Sequence, residues 1–305
     1  MPLSPDLFKR LSALNRQRLG EHLTTADAVR ADGAPAEENE PSDDASPVTI
    51  EALGPGCECE AGGGRYWLLT RGAEAFLPAL AEPDPAGLLA RYPHVVGGAG
   101  RAVEPDALHQ SLHPLIGAEP GAIAYLDIET CGLAGEPVFL VGLLVWEEGR
   151  LAVRQYLARD YAEERALLEG VWQGVAEAKV LVTYNGKTFD VPTLGARSLA
   201  CGFFDLPPMP AHVDLLAEAR RRWRHTLPNC RLQTVERAIS ARRRRGDIPG
   251  SDIPAAYHGF VRARQTGDAV AQRRGLRRLQ TILHHNALDL LTLAEVVVHI
   301  LSGGA

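Results

Sequence analysis

Lysine is nearly missing from this chain of 305 residues, occurring only as Lys9, Lys179 and Lys187. Arginine carries almost all the basic charge, and a bias of that kind follows genomic composition as readily as selection for phosphate recognition. Cysteine is sparse and odd in number, with five in all. Cys131, Cys201 and Cys230 are isolated, and Cys57 and Cys59 have no second pair at zinc-site spacing. This excludes a disulfide framework and a cysteine-rich zinc module, leaving reduced structural or surface thiols. Long apolar runs are also absent. The stretch from Val138 to Trp146 is too short to span a bilayer. The first residues, Met-Pro-Leu-Ser-Pro-Asp-Leu-Phe-Lys-Arg, contain no apolar secretory core. The expectation is a cytoplasmic protein without membrane association.

The composition is that of a soluble globular protein, 46% hydrophobic and 23% charged. The length allows one large domain or two ordinary ones. The net charge of −6 conceals an asymmetry. Residues 31–47 hold six acids and no base, whereas residues 211–280 hold sixteen arginines against six acids. Distribution matters more than the total when a nucleic-acid footprint is judged.

Residues 1–47 read as a short amphipathic helix followed by an acidic, Pro- and Ala-rich linker that cannot bury enough surface to order itself. Residues 48–118 carry no recognisable chemistry. Val48-Thr-Ile and Arg65-Tyr-Trp-Leu-Leu-Thr suggest short strands around a Gly-rich stretch, in either a small accessory region or an extension of the main domain. From residue 119 to 305 the pattern sharpens. Ala122–Ile128 reads as a buried strand. Phe139–Trp146 and Leu151–Ala158 flank Glu-Glu-Gly-Arg as a hairpin. Asp160 and Glu163 have capping-box spacing ahead of a helical apolar repeat. Lys179–Tyr184 reads as a strand, Asp190–Cys201 as a helix and His212–Leu216 as a strand. Residues 217–283 read as helices and loops, and His284–Leu301 as a final amphipathic helix. Three antiparallel strands, then helix, strand, helix and strand, predict an α/β fold: a mixed five-stranded sheet with helices on both faces.

Four carboxylates concentrate the functional signal. Asp127 and Glu129, in Tyr-Leu-Asp-Ile-Glu-Thr, lie two apart on a strand and share a face. They sit at its C-terminal end, where open α/β sheets place ligands. Asp190 closes Tyr-Asn-Gly-Lys-Thr-Phe-Asp after a second buried strand, with Asn185-Gly186 forming a tight turn and Phe189 expected in the core. Asp289 is an acid embedded in an apolar helix, where acids are paired, metal-bound or on the solvated face. His285 precedes it by four residues and shares its helix face, while His284 lies farther round. Taken singly, each acid has a bland structural reading as a solvated strand end or a helix N-terminal Asp. Oxygen-only ligands select hard cations such as Mg²⁺ or Mn²⁺, and converging carboxylates can hold two of them.

These motifs resemble those of the DEDD 3′–5′ exonucleases of the ribonuclease H-like superfamily, and within it the bacterial YprB-type proteins. The residues carrying the resemblance are Asp127-Ile-Glu-Thr-Cys-Gly-Leu-Ala-Gly, Thr183-Tyr-Asn-Gly-Lys-Thr-Phe-Asp, Leu227-Pro-Asn-Cys-Arg-Leu-Gln-Thr-Val-Glu, Ile248-Pro-Gly-Ser-Asp-Ile-Pro and His285-Asn-Ala-Leu-Asp. They cover about residues 119–301. The resemblance implies a ribonuclease H-like sheet and a metal-dependent 3′–5′ exonuclease acting on single-stranded nucleic acid ends. Asp127, Glu129, Asp190 and Asp289 would hold two Mg²⁺ or Mn²⁺ ions, with a histidine as general base. Both His284 and His285 satisfy spacings known in the group, and His285 is favoured on geometry. Cys131 stands where relatives often have Thr. A fold-retaining binding or scaffold protein, or an endonuclease with the same chemistry, are the alternatives.

Asn185, Lys187, Arg222 and Arg224 are the expected substrate contacts. Arg220, Arg221 and Arg242–Arg245 could track a backbone or form solvated faces. Trp223 fits the core better than a base-stacking role. Asp214 could support the site from behind.

Overall fold

The computed structural model describes residues 49–76, 87–102, 108–132 and 135–304, all within one unit spanning Pro47–Ala305. The helix and acidic linker expected over 1–47 lie outside the described residues.

The sheet is built from strands β1 (Gly56–Ala61), β2 (Gly64–Gly72), β3 (Ile123–Thr130), β4 (Val138–Glu147), β5 (Arg150–Leu157), β6 (Val180–Thr183) and β7 (Ala211–Asp214). Their order across it is β1-β2-β5-β4-β3-β6-β7. The β3–β4 and β4–β5 pairs are antiparallel, and the β3–β6 and β6–β7 pairs parallel. This is the expected mixed sheet, with one correction: among the described residues it has seven strands, not five. The β1–β2 hairpin pairs antiparallel with the outer edge of β5, so residues 56–72 continue the main sheet. Ile50, the last residue of an expected strand, instead begins a 3₁₀ turn over Ile50–Leu53.

Both hairpins close on two residues of positive φ, Gly62 and Gly63 (57° and 76°) and Glu148 and Gly149 (50° and 78°). Positive φ at both central positions matches the twist of the flanking strands. The central strands are apolar on both faces because helices cover both. Helices α1 (Leu88–Ala102), α2 (Glu164–Ala176), α3 (Asp190–Ala200), α4 (Leu215–Trp223), α5 (Leu232–Ser240), α6 (Ile253–Thr266) and α7 (Ala269–Leu301) supply the outer layers. One apolar core joins α2, α6 and the first half of α7 to the sheet. A second joins α1, α4 and the rest of α7.

Helix α7 begins well before the expected His284. Asp268 caps it by accepting from the N–H groups of Val270 and Ala271. Trp223 is buried. All five cysteines are free thiols, and the Cys57 and Cys59 sulfurs lie 3.7 Å apart on exposed β1. Among the described residues no helix is long and apolar enough to cross a membrane.

Candidate active site

Three elements bring the four acids to one end of the sheet. Strand β3 carries Asp127 and Glu129, and its pairing with β4 shifts register at Glu129–Thr130. Such bulges re-aim side chains beside functional sites. Asp190 opens α3 and is 5% exposed. Asp289 comes from the middle of α7.

The turn that launches α3 is held by Asp214, which ends β7. Its carboxylate accepts from the backbone N–H groups of Asn185 (2.8 Å), Lys187 (3.1 Å) and Leu216 (3.0 Å). Asn185 takes the left-handed conformation at φ 67°, which Asn tolerates better than most residues. A Cβ on Gly186 would meet the Thr183 side chain at 2.4 Å, so only glycine fits. Asp214 thus supports the site from behind by fixing the turn ahead of Asp190. Phe189 does not pack into the core as expected. It is 37% exposed and lines a cleft of about 420 Å³ with Glu129, Thr130, Ser251 and Pro254.

The four acids lie near enough to perturb one another's ionisation. Burial and repulsion by Asp289, Glu129 and Asp190 push the Asp127 carboxyl well above its usual range. Burial raises Glu129 to about 8, with Asp289 and Asp190 adding to the shift and His285 opposing it. Asp190 rises to about 7, mainly through burial; backbone N–H groups of Asp190 and Ile128 resist, and Asp214 and Asp289 add.

His285 faces this cluster. Its Nδ1 lies 2.7 Å from Asp247 Oδ1, and its Nε2 lies 3.6 Å from Asp289 Oδ2. Burial works against the charged ring, but Asp247, Asp289 and Glu129 outweigh it and raise the pKa to about 9. Asp247 is lowered in turn, because His285 and Arg244 overcome its burial. His284 is driven down by burial, with Arg244 reinforcing the effect. The structure therefore brings His285, and not His284, into contact with the acids.

Two participants escaped the sequence reading. Asp247 sits in a loop and carries no periodic signal, although it adjoins the Ile248–Pro254 motif. Arg244 belongs to the arginine run, of which Arg242 and Arg244 turn inward while Arg243 and Arg245 stay exposed. Arg242 is fully buried against Glu236 and Glu295. Arg244 reaches Glu236 at 2.7 Å and Asp289 Oδ1 at 2.6 Å. These two arginines are internal ion-pair partners, not tracks for a backbone. Arg243 and Arg237 line a second cleft, of about 610 Å³, beside Asp247.

Among the expected substrate contacts, Asn185 and Lys187 lie exposed on the turn before Asp190. Arg222 is not brought to the site. It pairs with Glu218 and donates to the Gly304 carbonyl, beyond the end of α7, about 18 Å along the helix from Asp289 at 1.5 Å per residue. Arg224, near it, donates to His225.

The donor set has the chemistry of a hard-cation site, oxygen-rich and short of compensating positive charge. Asp289 Oδ1 is buried without an aligned hydrogen bond, its contact with Arg244 being close but off-line. No group of three or more Asp, Glu, His or Cys side chains among the described residues forms a ready-made cage. Arg244 on Asp289 and Asn286 on Asp127 engage two of the four carboxylates within the protein. The residues fit such an ion by type and by shared location: Asn286 takes one oxygen of Asp127 and leaves the other open, and the Arg244 contact with Asp289 is the one a cation would displace.

The chain is 36% identical over 180 residues to "Uncharacterized protein YprB" of Bacillus subtilis (strain 168), a match covering 57% of this chain and 41% of that protein. It thus spans well under half of that relative's length. A family B DNA polymerase from Pyrobaculum calidifontis superposes with a TM-score of 0.45 at 20% identity, over 59% of this chain and 24% of the polymerase. The model of the RNase_H superfamily matches residues 124–301, the span from β3 to the end of α7 that holds all four acids. By that match over more than half of its length, the chain belongs to the RNase_H superfamily.

Proposed function

We propose that the protein is a metal-dependent 3′–5′ exonuclease acting on single-stranded nucleic acid ends, in the cytoplasm. One observation carries this reading: carboxylates from β3, α3 and α7 crowd together at one end of an RNase_H-type sheet, at a clear electrostatic cost. Buried like charges are retained where a function requires them.

Asp127, Glu129, Asp190 and Asp289 would hold two Mg²⁺ or Mn²⁺ ions. When bound, such ions supply a nucleophilic water near neutral pH and stabilise charge on the leaving oxygen. His285 takes the proton of the attacking water at Nε2. Asp247, bonded to Nδ1, sets the ring's tautomer and orientation. Water adds to phosphorus, the bond to the 3′ oxygen breaks, and the products are a nucleoside 5′-monophosphate and a strand one residue shorter. Exposed Phe189 offers a stacking face for a terminal base beside Glu129. Lys187 and Asn185 stand where the strand would enter.

The test is incubation with end-labelled DNA and RNA in Mg²⁺, Mn²⁺ or EDTA. A cation-dependent ladder shortening from the 3′ end is expected, and Asp127→Asn should abolish it while leaving the circular dichroism unchanged. Internal cuts would assign an endonuclease instead. Wild-type turnover in the Asp127→Asn variant would remove the metal-site assignment.

A further inference from the structure

A chain of oriented hydrogen bonds runs across one face of the sheet into Asp127. Register places Asp127 opposite Gly142, Gly142 opposite Gln155, and Gln155 opposite Leu69, with Arg71 two residues farther along β2 on the same face. Helix α7 lies over this row. Gly142 supplies the room: a Cβ there would meet Asn286 Oδ1 at 2.2 Å and Leu290 Cδ1 at 2.6 Å. In the gap, Asn286 Nδ2 donates to Asp127 Oδ2 at 2.8 Å and to the Asp127 carbonyl at 3.2 Å. Gln155 Nε2 donates to Asn286 Oδ1 at 2.9 Å and to the Leu283 carbonyl at 2.7 Å. An Arg71 guanidinium nitrogen donates to Gln155 Oε1 at 2.8 Å.

The direction of this chain is forced from its far end. A carboxamide offers both a donor and an acceptor and can flip. Arginine can only donate, so Gln155 must turn its oxygen to Arg71 and its NH₂ inward. Asn286 must then turn its oxygen to Gln155 and its NH₂ to Asp127. Gln155 and Asn286 are wholly buried, where a flipped amide would set oxygen against oxygen at full desolvation cost. The Arg71 guanidinium is itself held 4.5 Å above the Phe76 ring.

We propose that the β1–β2 hairpin is part of the catalytic apparatus: through Arg71 and Gln155 it locks the donor end of Asn286 onto Asp127 and fixes the orientation of that carboxylate for its cation. Arg71, Gln155 and Asn286 are positioning residues, and the region that carried no motif acquires a role. The inference rests on the reading of Asp127 as a metal ligand.

The experiment measures Mn²⁺ affinity of the full chain by electron paramagnetic resonance, alongside nuclease kcat and KM and the thermal midpoint in EDTA. Partners behind a metal ligand are commonly worth about 10–100-fold in affinity or activity. Arg71→Met keeps the stem but removes the donor, and should weaken Mn²⁺ binding and kcat by about tenfold or more, with KM little changed. Arg71→Lys, also a pure donor, should restore both. Gln155→Glu keeps a partner for Arg71 but cannot donate to Asn286, and should match Arg71→Met even if Arg71→Met lowers the midpoint. Wild-type Mn²⁺ affinity in both Arg71→Met and Gln155→Glu would overturn the proposal. Equal losses in Arg71→Met and Arg71→Lys would overturn it too, since the orientation argument demands rescue. Absence of Mn²⁺ binding by the wild type would instead remove the functional reading beneath it.

Discussion

Replacing Glu129 with Gln removes one of four mutually repelling carboxylates while preserving its shape. Glu129 is raised from an ordinary 4.5 to about 8. At about 1.4 kcal/mol per unit, that shift amounts to a cost of about 4 kcal/mol near pH 8. Partial exposure and coupling to the other acids bring the measurable part to about 2–3 kcal/mol. The sign follows from the raised pKa. The folded state prefers the protonated acid, so no penalty exists below 4.5, and it grows as pH rises through about 8. In EDTA, Glu129→Gln should therefore melt above the wild type near pH 8, by roughly 4–12 °C at about 2–4 °C per kcal/mol, and by much less near pH 5. Excess Mg²⁺ or Mn²⁺ should reverse the order, because only the wild type keeps its full ligand set. Differential scanning calorimetry at the two pH values, with and without cation, reads all four conditions. Equal or lower melting of the variant near pH 8 in EDTA would refute the claim that this carboxylate is held against its charge.

His285→Ala should lower turnover by about 10²–10⁴-fold, the usual worth of a positioned general base, and His284→Ala by less. Without metal, and against its burial, Asp247, Asp289 and Glu129 raise His285; cations on Asp289 and Glu129 would offset part of that, so the wild-type pH–rate profile in Mg²⁺ should climb as the ring loses its proton. That limb should vanish only in the His285 variant; its loss in the His284 variant instead would exchange the assignments. Gly142→Ala forces its methyl into Asn286 and Leu290, so urea denaturation should show a loss of about 1–3 kcal/mol, and a wild-type midpoint would show that α7 yields freely there. Arg244→Met leaves buried Glu236 with Arg242 alone and takes the arginine from Asp289. The expected cost is about 3–5 kcal/mol at neutral pH, which a denaturation curve unchanged from wild type would exclude.

Much of the framework was legible in local pattern. The apolar runs of β3 and β4 had to be central strands, since no other placement buries both faces. Asp127, Glu129 and Asp289 lie in apolar segments and Asp190 follows a second buried strand, and the four were informative together, not singly. What stayed hidden was long-range. Nothing in Arg65–Thr70 says that the strand pairs with β5, because edge pairing is written in register, not in composition. Arg244 is indistinguishable by sequence from its exposed neighbour Arg243; only the packing of α5 and α7 turns one inward and leaves the other in water. By sequence Gln155 is only a polar residue inside the hairpin strand Leu151–Ala158. Gly142, alone in the middle of a buried strand, was the overlooked sign that another group approaches closely there.

Helix α7 runs unbroken for 33 residues, about 50 Å at 1.5 Å per residue, and the site draws His285, Asn286 and Asp289 from its interior. Their amides sit where a helix opens last, because escape requires unwinding from a distant end or global unfolding. Asp247 and Arg244, which grip those residues, sit instead on a loop with no ladder of its own. The two halves of the site therefore have different lifetimes under hydrogen exchange. Amides of the loop should exchange before those of the helix interior, so His285 would hold its place through openings that take Asp247 away.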